Sequence, residues 1–240
     1  MMVLAPAATH RGLRMNVAPR PQVIVIAGNI GCGKSSLSRW LADQLQYVPW
    51  FESVDDNPYL DDFYRDMPRW SFHLQTYFLS TRVETYRRVI ESGRPAILDR
   101  SVFEDAAIFA QNAYRTSLMT EREYRTYLRI YEGIIPTFPP PDLLIYLRAS
   151  VPTLMRRIAK RGRDYEASIP REYLEQLNEL YEEWVADFDL SPKLVLPADD
   201  LDFVESYHDF GFILDMIETM RRGPEQPLLP GLGLRGAVSA

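Results

Sequence analysis

Residues 23–27 (VIVIA) form a short unbroken apolar run, the pattern of a strand buried on both faces. A helical pattern starts at Lys34 and continues to about residue 46. YVPWF (47–51), PAILD (95–99), 143–147 and KLVLP (193–197) read as four more strands. Between and after them, helical spacing covers about 70–91, 101–114, 121–134, 151–160, 171–188 and 202–221. SGRP closes the first of these, and RGRDYEASIP interrupts the chain between two others. Strands alternating with helices predict an α/β fold, with a parallel sheet covered on both faces. The pattern has no internal repeat and no strong linker. The expectation is one domain over residues 23–220, a flexible leader over 1–22, and a Pro- and Gly-rich flexible tail over 221–240.

Composition narrows the classes this fold can serve. A chain of 240 residues suffices for one well-buried domain. Its net charge of −6 argues against a general nucleic-acid binder, which is more often basic. No apolar run approaches ~18 residues, so no transmembrane helix is expected. Cys32 is the single cysteine, which excludes a disulfide framework and a thiolate zinc site. His10, His73 and His208 include no i, i+4 pair, so any metal is expected to arrive with a nucleotide. Residues 1–22 carry Arg11, Arg14 and Arg20 and no acid. They admit a transit-peptide reading, but a flexible leader, or a start placed too early with Met15 as the true one, is simpler. The expected location is the cytoplasm.

The first chemistry lies directly after the first strand. Gly28-x-x-x-x-Gly33-Lys34-Ser35 is a P-loop pattern between a strand and a helix, the context that gives it meaning. Gly28, Asn29, Gly31, Cys32 and Gly33 supply the loop whose N–H groups cradle phosphate, with Lys34, Ser35 and Ser36 opening the helix. Lys34 is expected on the β and γ phosphates, and the Ser35 hydroxyl on Mg²⁺. Cys32 reads as a small residue at a free loop position. A dinucleotide fingerprint fails because Ser36 stands where Gly or Ala belongs. DFG at 209–211 has no H-R-D upstream, so it reads as part of the last helix and not as a protein-kinase motif.

A P-loop alone leaves kinases, mechanical ATPases and GTPases open. In open α/β sheets ligands gather at the carboxyl ends of strands. Glu52 follows the second strand there, and Asp99-Arg100 the third. One carboxylate can take a proton from an attacking hydroxyl, and another can hold Mg²⁺. Asp99 can also cap the following helix. Arg100 can neutralise charge on a transferred group. Arg156, Arg157, Lys160, Arg161 and Arg163 crowd one stretch, read either as a solvated basic face or as a lid over a triphosphate.

GNIGCGKSS, FESVDDNPYLDDFY, RWSFHLQTYFLSTR, LDRSVFEDAAIFA and KRGRDYEASIPREYLEQL together resemble the deoxynucleoside kinase family, in its motif order and from about residue 23 to 220. DDNP after the glutamate resembles the bacterial deoxyadenosine and deoxyguanosine kinase branch. The resemblance implies a P-loop kinase core of the nucleoside-monophosphate-kinase type with a five-stranded parallel sheet. It also implies a homodimer through long helices, including 70–91 and 120–134. ATP is the implied donor, with Mg²⁺, and a small-molecule deoxynucleoside the acceptor. Glu52 matches the base on the 5′-hydroxyl, Arg100 the arginine beside it, and Asp99 the acid that helps place Mg²⁺. Tyr64 and Glu166 match the pair on the sugar 3′-hydroxyl, and Arg157, Arg161 and Arg163 match lid arginines. Gln75 matches the base-reading amide, and Arg82 and Asp105 a pair that thymidine-preferring members lack. The seven-residue step from Gln75 to Arg82 is two helical turns, which puts both on one face. The expected acceptors are purine deoxynucleosides, with deoxycytidine next and thymidine poor. Ser53 departs from the proline found in many members after the glutamate. The competing readings are a nucleoside monophosphate kinase, thymidylate kinase above all, and a non-catalytic scaffold on the same fold.

Overall fold

The computed structural model describes residues 22–51, 57–163, 169–201 and 207–222. Most of the expected leader and tail, with Glu52 and Glu166, lies outside them.

Five strands form one parallel sheet: β1 (Val23–Gly28), β2 (Val48–Trp50), β3 (Ala96–Asp99), β4 (Leu143–Arg148) and β5 (Lys193–Pro197). Their order is β2-β3-β1-β4-β5, with Ile24 opposite both Ile97 and Leu143. β1 is buried along its whole length, as the apolar run predicts. Its side chains alternate between two cores. Ile24 and Ile26 pack with Leu37 and Leu41 of α1 (Lys34–Leu45), Leu154 and Ile158 of α6 (Val151–Arg161), and Ile213 and Ile217 of α8 (Tyr207–Arg222). Val23 and Val25 join Leu79 and Tyr86 of α3 (Met67–Ser92), Tyr127 of α5 (Glu121–Ile134), and Leu177 and Tyr181 of α7 (Arg171–Asp187). This is the period of two that a strand imposes. β1 lies between β3 and β4, so the chain leaves it toward α1 at the switch point of the sheet, where a crevice opens.

Local signals set the helix ends. Asp66 accepts the Arg69 N–H at the start of α3, and left-handed Gly93 closes it. Thr120 and Glu123 form a capping box at the start of α5. Gly162, also left-handed, ends α6 at the break expected there. Residues 209–211 lie inside α8, so DFG is helical, as expected.

Two elements differ from the periodic reading. A short helix, α2 (Leu60–Arg65), has no fully buried residue, so it lacks the apolar stripe by which helices are read. The single helix expected at 101–114 is three pieces: a 3₁₀ turn (Val102–Glu104), a π-helical turn (Asp105–Ala110) and α4 (Gln111–Arg115). Ser101 and Glu104 close the first piece with a capping box. The wide π turn then lets Asp105 and Phe109 both meet Arg82, by an ion pair and by a ring contact at 5.7 Å. Among the described residues, no helix is long and apolar enough to cross a membrane.

Candidate active site

A cavity of about 320 Å³ opens at the carboxyl ends of β1 and β3, between the P-loop, α3 and the start of α7. Of the residues singled out in the sequence, it is lined by Gly31, Lys34, Ser35, Tyr64, Gln75, Arg82, Asp99, Arg100, Arg161 and Arg163. The cavity has two ends of different chemistry.

The first end is the loop. Gly28 has φ +144°, and a Cβ there would lie 2.7 Å from the Cys32 sulfur and 2.8 Å from the Leu147 carbonyl oxygen. Gly31 has φ +81°, with Ile158 only 2.8 Å from where a Cβ would stand. Only glycine fits a loop this tight and this close to β4 and α6. Gly33 is the left-handed cap of α1, and Ser36 lies in its first turn. The Lys34 ammonium donates to the Gly28 and Asn29 carbonyls at 2.9 and 3.0 Å, which fixes it beside the loop. Asn29 is turned inward. Its amide donates to the Leu174 carbonyl and to Asn178 Oδ1, at 2.9 and 2.7 Å, tying the loop to α7. Cys32 is fully buried, and burial pushes its thiol pKa up, more than the nearby Lys34 lowers it. The bland reading of Cys32 fits this protonated, enclosed thiol.

Ser35 donates its hydroxyl proton to Asp99, so the two expected metal ligands touch. Both offer hard oxygen atoms and line the same cavity as Lys34. Mg²⁺ is commonly held by one or two such groups together with substrate phosphates, so this pair fits it. Among the described residues no group of three or more His, Cys, Asp or Glu side chains could hold a metal ion.

The other end is set by α3 and the π turn. Gln75 is buried, and Arg82 forms an ion pair with Asp105, whose side chain is 1% exposed. Arg82 also lies 5.0 Å over the Phe78 ring. Asp105 stands behind Arg82 and does not line the cavity itself. Between the two ends lies Arg100, a non-glycine residue at φ +75° with its guanidinium 4.4 Å over the Phe109 ring.

Arg161 and Arg163 face the cavity from the end of α6 and just beyond it. Arg157 does not line it. It donates to the Cys32 and Ala198 carbonyls, at 2.9 and 2.7 Å, and so joins the P-loop to the turn after β5. Arg157 and Arg161 share one face of α6 a turn apart, so Arg157 meets the P-loop backbone while Arg161, at the end of the helix, lines the cavity.

Among the residues at this site that the sequence did not single out, Tyr173, Glu104 and Tyr181 bear on its chemistry. Tyr173 lines the cavity, and burial pushes its pKa to about 12. Glu104 and Tyr181 are hydrogen-bonded to each other beneath Arg100. Ser101-x-x-Glu104 is a capping-box pattern and was the available signal for Glu104. Tyr181 shows only as one more apolar-face position of α7.

The comparisons with known proteins agree with this geometry. The family model described as deoxynucleoside kinase matches residues 24–221. The deoxyadenosine/deoxycytidine kinase of Bacillus subtilis is 38% identical over 204 residues, 84% of this chain and 94% of its own. A deoxyguanosine kinase of Lactobacillus acidophilus is 40% identical, over 81% and 89% of the two chains. The solved structure of deoxyadenosine kinase from M. mycoides with bound dATP superposes with a TM-score of 0.72 at 32% identity. It covers 82% of this chain and 100% of that one.

Proposed function

This chain belongs to the deoxynucleoside kinase family, and we propose that it transfers the γ-phosphate of ATP to the 5′-hydroxyl of a purine deoxynucleoside. Deoxycytidine is the next best acceptor and thymidine a poor one. The observation that carries the acceptor preference is that Arg82, anchored by its ion pair with Asp105, lines the same cavity as Gln75 and the P-loop. The glutamine amide offers one acceptor and two donors to a base edge. Arg82, held by Asp105 behind it, adds donors beside that amide, and in this reading its guanidinium leaves no room for a thymine methyl. The relatives include kinases named for deoxyadenosine, deoxyguanosine and deoxycytidine, which supports the same range.

In this reading Glu52, directly after Phe51 at the end of β2, removes the proton from the 5′-hydroxyl. Lys34 holds the β and γ phosphates. Arg100 neutralises charge on the group in transfer, and Arg161 and Arg163 close over it. Tyr64 and Glu166 hold the 3′-hydroxyl. Ser35 and Asp99 hold Mg²⁺, which when bound neutralises charge on the triphosphate. The placement of Arg157 supports a role in shaping the loop, not in touching phosphate. We also propose a homodimer, and a cytoplasmic role in nucleotide salvage.

The test is a panel of deoxyadenosine, deoxyguanosine, deoxycytidine, thymidine and dTMP, each with ATP and Mg²⁺, comparing kcat/KM. The purine deoxynucleosides are expected to lead. A preference for dTMP would establish a monophosphate kinase, and no product from any acceptor would leave only a scaffold.

A further inference from the structure

Arg100 has a long side chain at a left-handed backbone position, and its own main chain fixes only its root, through the N–H that donates to the Ile26 carbonyl at 3.0 Å. Neighbouring side chains orient the guanidinium. Phe109 supplies one face, at 4.4 Å. Tyr181 supplies an edge contact, accepting from Arg100 Nη1 at 3.2 Å.

The direction of that second contact is determined. A phenol carries one proton. The Tyr181 hydroxyl gives it to Glu104 Oε2 at 2.7 Å, so toward Arg100 it presents only lone pairs. Glu104 is fully buried, and its other oxygen accepts the Ser101 N–H at 3.0 Å. The tyrosine ring is held as well. It is fully buried and stacked on Tyr146, with centroids 5.8 Å and planes 18° apart. A core tyrosine needs some partner for its hydroxyl. This one connects a buried carboxylate to the one arginine at the middle of the cavity. A carboxylate in direct contact would pair with the guanidinium as a fork. The phenol between Glu104 and Arg100 instead offers the guanidinium a single oriented lone pair.

We propose that Tyr181 is a positioning residue for phosphoryl transfer, its hydroxyl locked by Glu104 so that it fixes the Arg100 guanidinium over Phe109. This rests on the role assigned above to Arg100.

The test is Tyr181→Phe in the full-length enzyme. Because small displacements of a reacting constellation are costly, kcat on the best deoxynucleoside is expected to fall ~10- to 100-fold. KM for ATP should stay within roughly twofold, since the loop is untouched. In an Arg100→Lys background the same change should cost nothing further, the mark of one residue acting through another. A plain packing role predicts an additive loss, and that result overturns the proposal. Glu104→Gln is the second variant, and it leaves Tyr181 in place. Its amide cannot accept from both Ser101 and Tyr181, so kcat should fall here too. An unchanged kcat in Glu104→Gln would equally overturn it. Crystal structures of wild type and Tyr181→Phe separate this proposal from the functional reading. If the wild type phosphorylates no deoxynucleoside, the functional reading fails. An Arg100 unmoved in the variant removes the role of Tyr181 whatever the activity.

Discussion

Asn29 uses its whole amide. Its nitrogen donates to Leu174 and Asn178, and its oxygen accepts the Ile30 N–H at 2.7 Å. Asn178 in turn donates to the Ala149 carbonyl at 2.9 Å, so one pair of asparagines links the P-loop, α7 and the end of β4. Asn29→Asp should therefore be worse than its size suggests. A carboxylate would face two acceptors in a site only 2% exposed. Leaving such groups buried and unpaired costs about 1–3 kcal/mol. The expected outcome is a lower melting temperature together with a higher KM for ATP. A variant that melts like the wild type would show that the asparagine pair contributes little. At this scale the sequence was legible where one backbone demand fixes one residue type. Gly28, Gly31 and Gly33 are such cases, because φ and close approach admit nothing else. Asn29 was legible only as a loop member. Its partners lie some 145 residues away, and no local pattern encodes that distance.

Among elements, α6 depends on an anchor from outside itself. Its first residue follows Ser150, which has no capping bond from its own side chain to the helix. Asp199, in the turn after β5, accepts from the Ser150 N–H and hydroxyl at 3.1 Å. Partial burial acts to raise the Asp199 pKa, but the bonds from Thr153 and Ser150 leave it below its ordinary 3.8. A carboxyl group with a depressed folded pKa stabilises above its unfolded value and loses that contribution as pH falls through the folded one. The residue is exposed, so screening limits its worth to about 1 kcal/mol or less. Asp199→Ala should lower the urea midpoint by a corresponding amount at pH 7, and the gap should shrink below pH 3.8. An equal gap at both pH values would place the effect in packing and not in the carboxylate. Most elements were readable because period and caps agreed, as in α5 and in β1. Residues 101–114 were not. A run of apolar residues there satisfies helical spacing, while the capping box and the buried Asp105–Arg82 ion pair draw the chain into a 3₁₀ turn and a π turn. That choice is tertiary, and it places Asp105 against Arg82.

For the whole molecule, alternation of strands and helices was enough to predict a parallel sheet, but strand order was not in the pattern. It follows from which apolar faces pair, and it sets β1 between β3 and β4 so that Lys34, Asp99 and Arg100 converge. The same accounting of faces bears on the proposed homodimer. α3 has 26 residues, yet only six are buried, Ser71, Leu74, Gln75, Leu79, Tyr86 and Val89. α5 buries Tyr127 alone, while Ile130 on the same helix is 38% exposed. The two helices pack against each other. Further side chains of both helices, such as Val83 and Leu128, reach the core only partly buried, so a second copy whose matching helices cover Ile130 by a two-fold interface would bury them further. Sedimentation equilibrium at low micromolar concentration should then give twice the 27.8 kDa of one chain. Ile130→Glu should shift the protein toward the single-chain mass, because a carboxylate withdrawn from water without a partner opposes association. The buried residues of each helix are untouched by that change, so the variant should keep its fold, as far-ultraviolet circular dichroism can check. A wild-type protein that sediments at 27.8 kDa would remove the dimer. An Ile130→Glu variant that remains at twice that mass would move the interface to another face.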